Sequence, residues 1–217
     1  PQPMPMEAFD QNQGLILYKT KLVGHKSGKL KIWEPHDYAL IFLNGKFIDT
    51  IYRDGGKWEV TLPKSAVENP ELEILVEGMG HINFAQFMID RKGITDRVTL
   101  NGMTLMNWQI TLLPIDENFI KTKRPDLKIK IDDNKPCNFF RGSCNLSETG
   151  DTYFDMSGYS KGVLYINGHN LGRYWKIGPQ QRLYCPAKWL KKGANEILIF
   201  DLHQVVAKTI AGYKTPY

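Results

Sequence analysis

No apolar run in the 217 residues approaches the roughly 18 needed to cross a membrane; stretches such as Leu40–Leu43 and Ile197–Phe200 are strand-sized. Cysteine is scarce. Cys137, Cys144 and Cys185 form no CxxC pair and leave an odd count, so three free thiols are expected, with a Cys137–Cys144 loop as the alternative in an oxidising compartment. The five histidines, His25, His36, His81, His169 and His203, show neither HxxxH nor HxH spacing, and no metal site is expected from them. Gly78-Met79-Gly80 lacks the third glycine of a dinucleotide fingerprint, so no cofactor is expected. Asp132-Asp133-Asn134 lacks the glycine and terminal glutamate of a calcium loop. No stretch of 12 or more residues holds a helical period.

Charge is present in both signs. The net value is +5, and the densest basic stretch, Lys121-Thr122-Lys123-Arg124 with Lys128 and Lys130, lies in a proline-bearing connector. A solvated linker is the expectation there, and neither nucleic acid nor membrane is expected as a partner. The start, Pro1-Gln2-Pro3-Met4, lacks an initiator Met and a charged-then-apolar leader, which reads as an excised or processed piece.

What is abundant is strand signal. Short runs of Ile, Leu, Val, Phe, Tyr and Trp are punctuated by Asn44-Gly45, Asn101-Gly102 and Asn167-Gly168. Both residues of such pairs tolerate the positive φ that a two-residue hairpin turn requires. The expected fold class is all-β: two tandem jelly-roll sandwiches. An internal repeat supports the doubling. Leu40–Val76 aligns without a gap on Val163–Ile199 at an offset of 123. Asn-Gly falls on Asn-Gly, Pro63 on Pro186, and Glu73 on Glu196; Leu17-Tyr18-Lys19 falls on Phe139-Phe140-Arg141 at offset 122. The expected boundaries are a first sandwich over 1–118, a linker over 119–131 and a second sandwich over 132–217. Expected inward residues are Leu40, Phe42, Val60, Leu62, Leu72 and Ile74 in the first copy, and Tyr165, Leu183, Cys185, Ile197 and Ile199 in the second.

Candidate chemistry is sparse. Glycoside hydrolysis needs two facing carboxyl groups, and spacing nominates no pair among the 23 acids, so no catalytic residue is assigned. Aromatics reach 12%. A sugar ring offers an apolar face and a polar rim, so its sites pair an aromatic plate with hydrogen-bonding side chains. Two segments have that composition. His169, Asn170, Arg173, Tyr174 and Trp175 form one candidate carbohydrate contact, and Trp33 with His36 the other. The competing expectation, favoured here, packs Tyr174 and Trp175 on a neighbouring sheet and pairs Arg173 at an interface.

Those same residues carry a resemblance. Tyr165-Ile-Asn-Gly-His-Asn-Leu-Gly-Arg-Tyr-Trp175, Ile177-Gly-Pro-Gln-Gln-Arg-Leu-Tyr-Cys-Pro186 and Trp189–Ile197 closely resemble the C-terminal region of the family-35 glycoside hydrolases, the β-galactosidases. Gln13–Tyr18, His36-Asp37-Tyr38-Ala39, Ile74–Gly80, Lys92-Gly93-Ile94 and Trp108 fall in family order. The resemblance implies β-sandwiches of the galactose-binding-domain-like type that follow a (β/α)₈ barrel bearing both catalytic glutamates. It therefore implies a non-catalytic role, with the absent barrel of the same protein as partner and galactose-containing glycans as a further one. An independent carbohydrate-binding module or an adhesive sandwich is the alternative. By resemblance alone the location is extracytoplasmic: periplasmic, secreted or lysosomal. One departure stands out. The family reads Gly-Arg-(Ile/Val)-Asn-Tyr-Gly where this chain has Gly80-His81-Ile82-Asn83-Phe84-Ala85, which replaces a guanidinium and a phenol.

Overall fold

The computed structural model describes residues 2–84, 86, 88–123 and 135–217. It divides into two compact units, Pro1–Ile115 and Asp116–Tyr217. The first is a two-sheet antiparallel sandwich. One sheet has the order β11 (Gln109–Leu113), β1 (Gly14–Lys21), β7 (Glu71–Gly78), β4 (Tyr38–Leu43), β5 (Lys46–Tyr52). The other runs β10 (Met103–Thr104), β9 (Val98–Leu100), β2 (Gly28–Ile32), β6 (Glu59–Leu62), and a small ladder joins β3 (Pro35–His36) to β8 (Gly93–Ile94). Between the sheets lie Ile16, Tyr18, Ile41, Leu43, Leu72 and Ile74 against Leu30, Ile32, Val60, Leu62, Val98 and Leu100.

The second unit repeats the plan. β12 (Asn138–Leu146), β17 (Gly193–Asp201), β14 (Lys161–Ile166) and β15 (His169–Trp175) form one sheet; β16 (Arg182–Cys185), β13 (Thr152–Asp155) and β18 (Ala211–Tyr213) form the other. A short helix, α1 (Glu117–Lys123), opens the unit and buries Ile120. It occupies the start of the stretch expected as linker; residues 124–131 of that stretch, and Asp132-Asp133, lie outside the described residues. No described helix is long and apolar enough to cross a membrane.

The turns form as their chemistry demands. Asn44, Asn101 and Asn167 have φ of 51°, 49° and 50°, and the glycine after each is also positive. Three expected inward residues are out of phase. Leu40, Phe42 and Tyr165 are buried, but on the sheet faces opposite the two cores, which take Ile41, Leu43, Leu164 and Ile166 instead. An unbroken apolar run contains no polar residue to mark its outward side.

The repeat also needs one correction. Leu43 pairs with Leu72, and its counterpart Ile166 pairs with Ile197, so the last strands align at offset 125. The turn asparagines agree. Asn44 Oδ1 accepts from Glu71 N–H at 2.9 Å, and Asn167 Oδ1 accepts from Glu196 N–H at 3.0 Å. Glu196 therefore corresponds to Glu71, not Glu73. A two-residue slip preserves the in–out alternation of a strand, which is why the gapless alignment kept its hydrophobic phase.

Candidate functional site

The 169–175 candidate is the edge strand β15, and its side chains divide between two faces. Cross-strand partners share a face. Trp175, Arg173 and Asn170 pair with Lys161, Val163 and Tyr165, whereas Tyr174, Gly172 and His169 pair with Gly162, Leu164 and Ile166 on the core side. Tyr174 is 2% exposed; its hydroxyl lies 3.0 Å from both Phe200 O and Asp201 Oδ2. Gly162 makes room for it, since a Cβ there would meet Tyr174 Oη at 2.8 Å and Phe200 O at 1.8 Å. His169 stacks on Trp189, with ring centroids 4.7 Å apart and 13° between planes. Lys161 Nζ sits 4.4 Å above the Trp175 ring. The Asn170 N–H donates to Glu117 Oε1 at 2.9 Å; that bond, with Lys121 and His169 nearby, outweighs burial and holds the Glu117 carboxyl below its ordinary range. On β15, therefore, Tyr174 is turned into the core, while the half-buried Trp175 ring lies beneath Lys161 on the other face.

Trp33 and His36 belong to the first unit. The Trp33 ring carries Lys31 Nζ at 3.6 Å and the Arg97 guanidinium at 4.4 Å, and its indole N–H donates to Thr99 Oγ1 at 3.3 Å. His36 instead leads to a group of charges that sequence reasoning missed. Asp37, Asp90 and Lys92 converge there with exposures of 4%, 4% and 1%. Lys92 Nζ donates to Asp90 Oδ2 at 2.7 Å and Asp37 Oδ2 at 2.9 Å; Arg53 Nη1 donates to Asp90 Oδ1 at 2.8 Å and Asp37 Oδ1 at 3.1 Å. The elements explain the meeting: Asp37 links β3 to β4, Arg53 follows β5, and Asp90 and Lys92 precede β8. The available signals were the placement of Asp37 beside His36 and of Lys92 before Gly93; Asp37 and Asp90 lie far apart in sequence, and no spacing rule joins them.

The electrostatics decide what this cluster can do. Burial pushes the Asp90 carboxyl up, but hydrogen bonds from Lys92, Arg53 and the Ile82 N–H overcome it and bring the net value well below the usual carboxylate range. Burial, then the Arg53 charge, depress the His36 imidazole, whose Nδ1 lies 3.3 Å from Asp90 Oδ1. Oxygen and nitrogen atoms of His36, Asp37 and Asp90 lie within 4.8 Å of one another, a spacing a cation could use, but the Lys92 ammonium already takes that position. Acid–base hydrolysis of a glycoside needs one carboxyl held protonated. Here Asp90 is held ionised, and both acids are ion-paired.

Beside the cluster opens a cleft of about 540 Å³ lined by Tyr52, Arg53, Asp54, Met79, His81 and Ile82, with Asp37 and Asp90 at its base. Fold and site together define a pair of antiparallel β-sandwiches held by buried polar networks, one of them flanking an open cleft. The chain belongs to the family described as the β-galactosidase first all-beta domain, whose profile matches residues 3–115; residues 137–195 match the profile described as the β-galactosidase galactose-binding domain. β-Galactosidase 1 of Dictyostelium discoideum is 33% identical, over 92% of this chain and 32% of its own length. β-Galactosidase 17 of Arabidopsis thaliana is 32% identical over 92% and 33%, and β-galactosidase-1-like protein 2 of Homo sapiens 36% over 88% and 30%. The chain spans about a third of the length of these relatives. Among solved structures, the apo lectin of Pleurotus ostreatus aligns over 89% of this chain and 69% of its own at 13% identity, with a TM-score of 0.30 that carries no argument.

Proposed function

We propose that this chain is the non-catalytic β-sandwich region of a β-galactosidase and supports a catalytic (β/α)₈ barrel carried elsewhere in the same polypeptide. One observation carries the reading: the two family profiles lie at 3–115 and 137–195, while the relatives aligned over nearly the whole chain are about three times as long. The ion-paired state of Asp37 and Asp90 agrees, because it withholds the proton that a glycosidase must deliver. A protein of this kind acts outside the cytoplasm, in a periplasmic, secreted or lysosomal setting. The reading is tested on the complete gene product. Coding sequence beyond these residues is expected to supply a barrel, and deleting residues 1–217 is expected to abolish soluble galactosidase activity. Full activity after the deletion would overturn it.

Galactoside contact by this chain is a second reading, favoured by the first unit's cleft. Its 540 Å³ falls in the range of small-ligand sites, and Tyr52 beside Asp54 and Arg53 pairs an aromatic with groups that bond hydroxyls. Calorimetric titration with galactose and lactose decides it. Heat lost in Asp54→Ala and kept in Trp175→Ala supports contact at the cleft; no heat at millimolar sugar rejects it.

A further inference from the structure

His81 sits on the wall of that cleft between two acceptors. Its Nδ1 lies 2.8 Å from Asp90 O, and its Nε2 lies 3.0 Å from Asn12 O. A backbone carbonyl oxygen can only accept. A neutral imidazole carries one N–H and an imidazolium carries two, so both contacts are hydrogen bonds only when the ring is charged. Charged groups of both signs stand around it. Glu7 Oε1 lies 3.9 Å from Nε2, and the same carboxylate accepts the Lys92 backbone N–H. The Asp90 carboxylate reaches the neighbouring Ile82 N–H at 3.2 Å, and behind it stand Lys92, Arg53, Asp37 and His36.

We propose that His81 is a protonation-dependent clasp, tying the Met79–Ile82 wall of the cleft to the Asn12 turn when its imidazole is charged and releasing one of the two bonds when it is neutral. The inference rests on geometry in the first unit and is independent of the catalytic partner proposed above.

The test uses the isotopically labelled 217-residue chain in solution. Imidazole nitrogen shifts of His81 and amide shifts of Asn12 and Met79–Ile82 are followed from about pH 5 to about pH 8, spanning the range in which histidine titrates. The same series is recorded for His81→Arg and His81→Gln. In the native protein the amides are expected to move with the midpoint of His81 itself. Their exchange, corrected for intrinsic base catalysis, is expected to rise about fivefold, the size of one hydrogen bond. His81→Arg is expected to hold the low-pH spectrum throughout, and His81→Gln the high-pH one. Amides that ignore the His81 titration would overturn the proposal. So would a transition that survives in His81→Arg, which would belong to His36, or imidazole shifts showing a single protonated nitrogen at the acidic end.

Discussion

The Lys92 ammonium donates to Asp90 Oδ2 at 2.7 Å, with both side chains 1% exposed. Removing one member of a buried ion pair costs more than the net stabilisation of the pair, and without Lys92 the two buried acids would share the Arg53 guanidinium as their one remaining ion-pair partner. Lys92→Met is therefore expected to destabilise the first unit by about 3–5 kcal/mol at neutral pH. The deficit should shrink below about pH 4, where the carboxyls take up protons. Urea unfolding at both pH values checks the size and the direction.

The native chain should lose stability in acid in two stages. His36 has a folded pKa below 6.5, so its contribution is present above 6.5 and is lost as pH falls through the folded value. Asp90 is depressed below 3.8, so its contribution is present above 3.8 and disappears only in stronger acid. At the alkaline end Tyr18 and Tyr165 are raised above 10.0, chiefly by burial; stability they supply is complete below 10.0 and fades as pH climbs through their folded values. Thermal midpoints measured across pH should fall at both ends, the His36 stage disappearing in His36→Phe.

The paired turns allow a matched comparison. Glycine keeps the positive φ, so Asn44→Gly and Asn167→Gly isolate the side-chain bonds. Asn44 Nδ2 reaches Ser65 Oγ at an exposed site, whereas Asn167 Nδ2 reaches Trp189 O and the buried Asn195 Oδ1. The expected losses are about 1 kcal/mol for Asn44→Gly and about 2–3 kcal/mol for Asn167→Gly. Equal values in denaturant titrations would remove the distinction.

All three cysteines are free thiols. Cys137 precedes β12 and Cys144 lies six residues into it, so the extended strand holds them about 20 Å apart, well beyond the reach of a disulfide. Burial raises the Cys185 thiol to about 11. Thiol titration of the folded chain should leave Cys185 unreacted until denaturant is added, and reductant should not move the thermal midpoint.

How much of this could be read from the sequence differs by element. Hairpin turns were legible because Asn-Gly has one low-energy use, and the duplication was legible because strand phase survives divergence. The β4 and β14 faces were not, because Leu40–Leu43 and Val163–Ile166 are apolar at every position and both faces are buried. Glu73 passed for the partner of Glu196 because a two-residue shift keeps the same parity. The aromatic composition of 169–175 was visible, but alternation along β15 sends Tyr174 inward and leaves Trp175 under Lys161. The Asp37–Asp90–Lys92–Arg53 cluster escaped because charges from β3, β5 and β8 meet only after the sheets close.

The central claim is that the described residues of these sandwiches present no acid pair able to cleave a galactoside. Incubating the highly purified 217-residue chain with a chromogenic β-galactoside tests it most directly. The account predicts release no faster than in buffer across the acid and neutral range. Sustained turnover that co-purifies with the chain and vanishes in Asp90→Asn would contradict it.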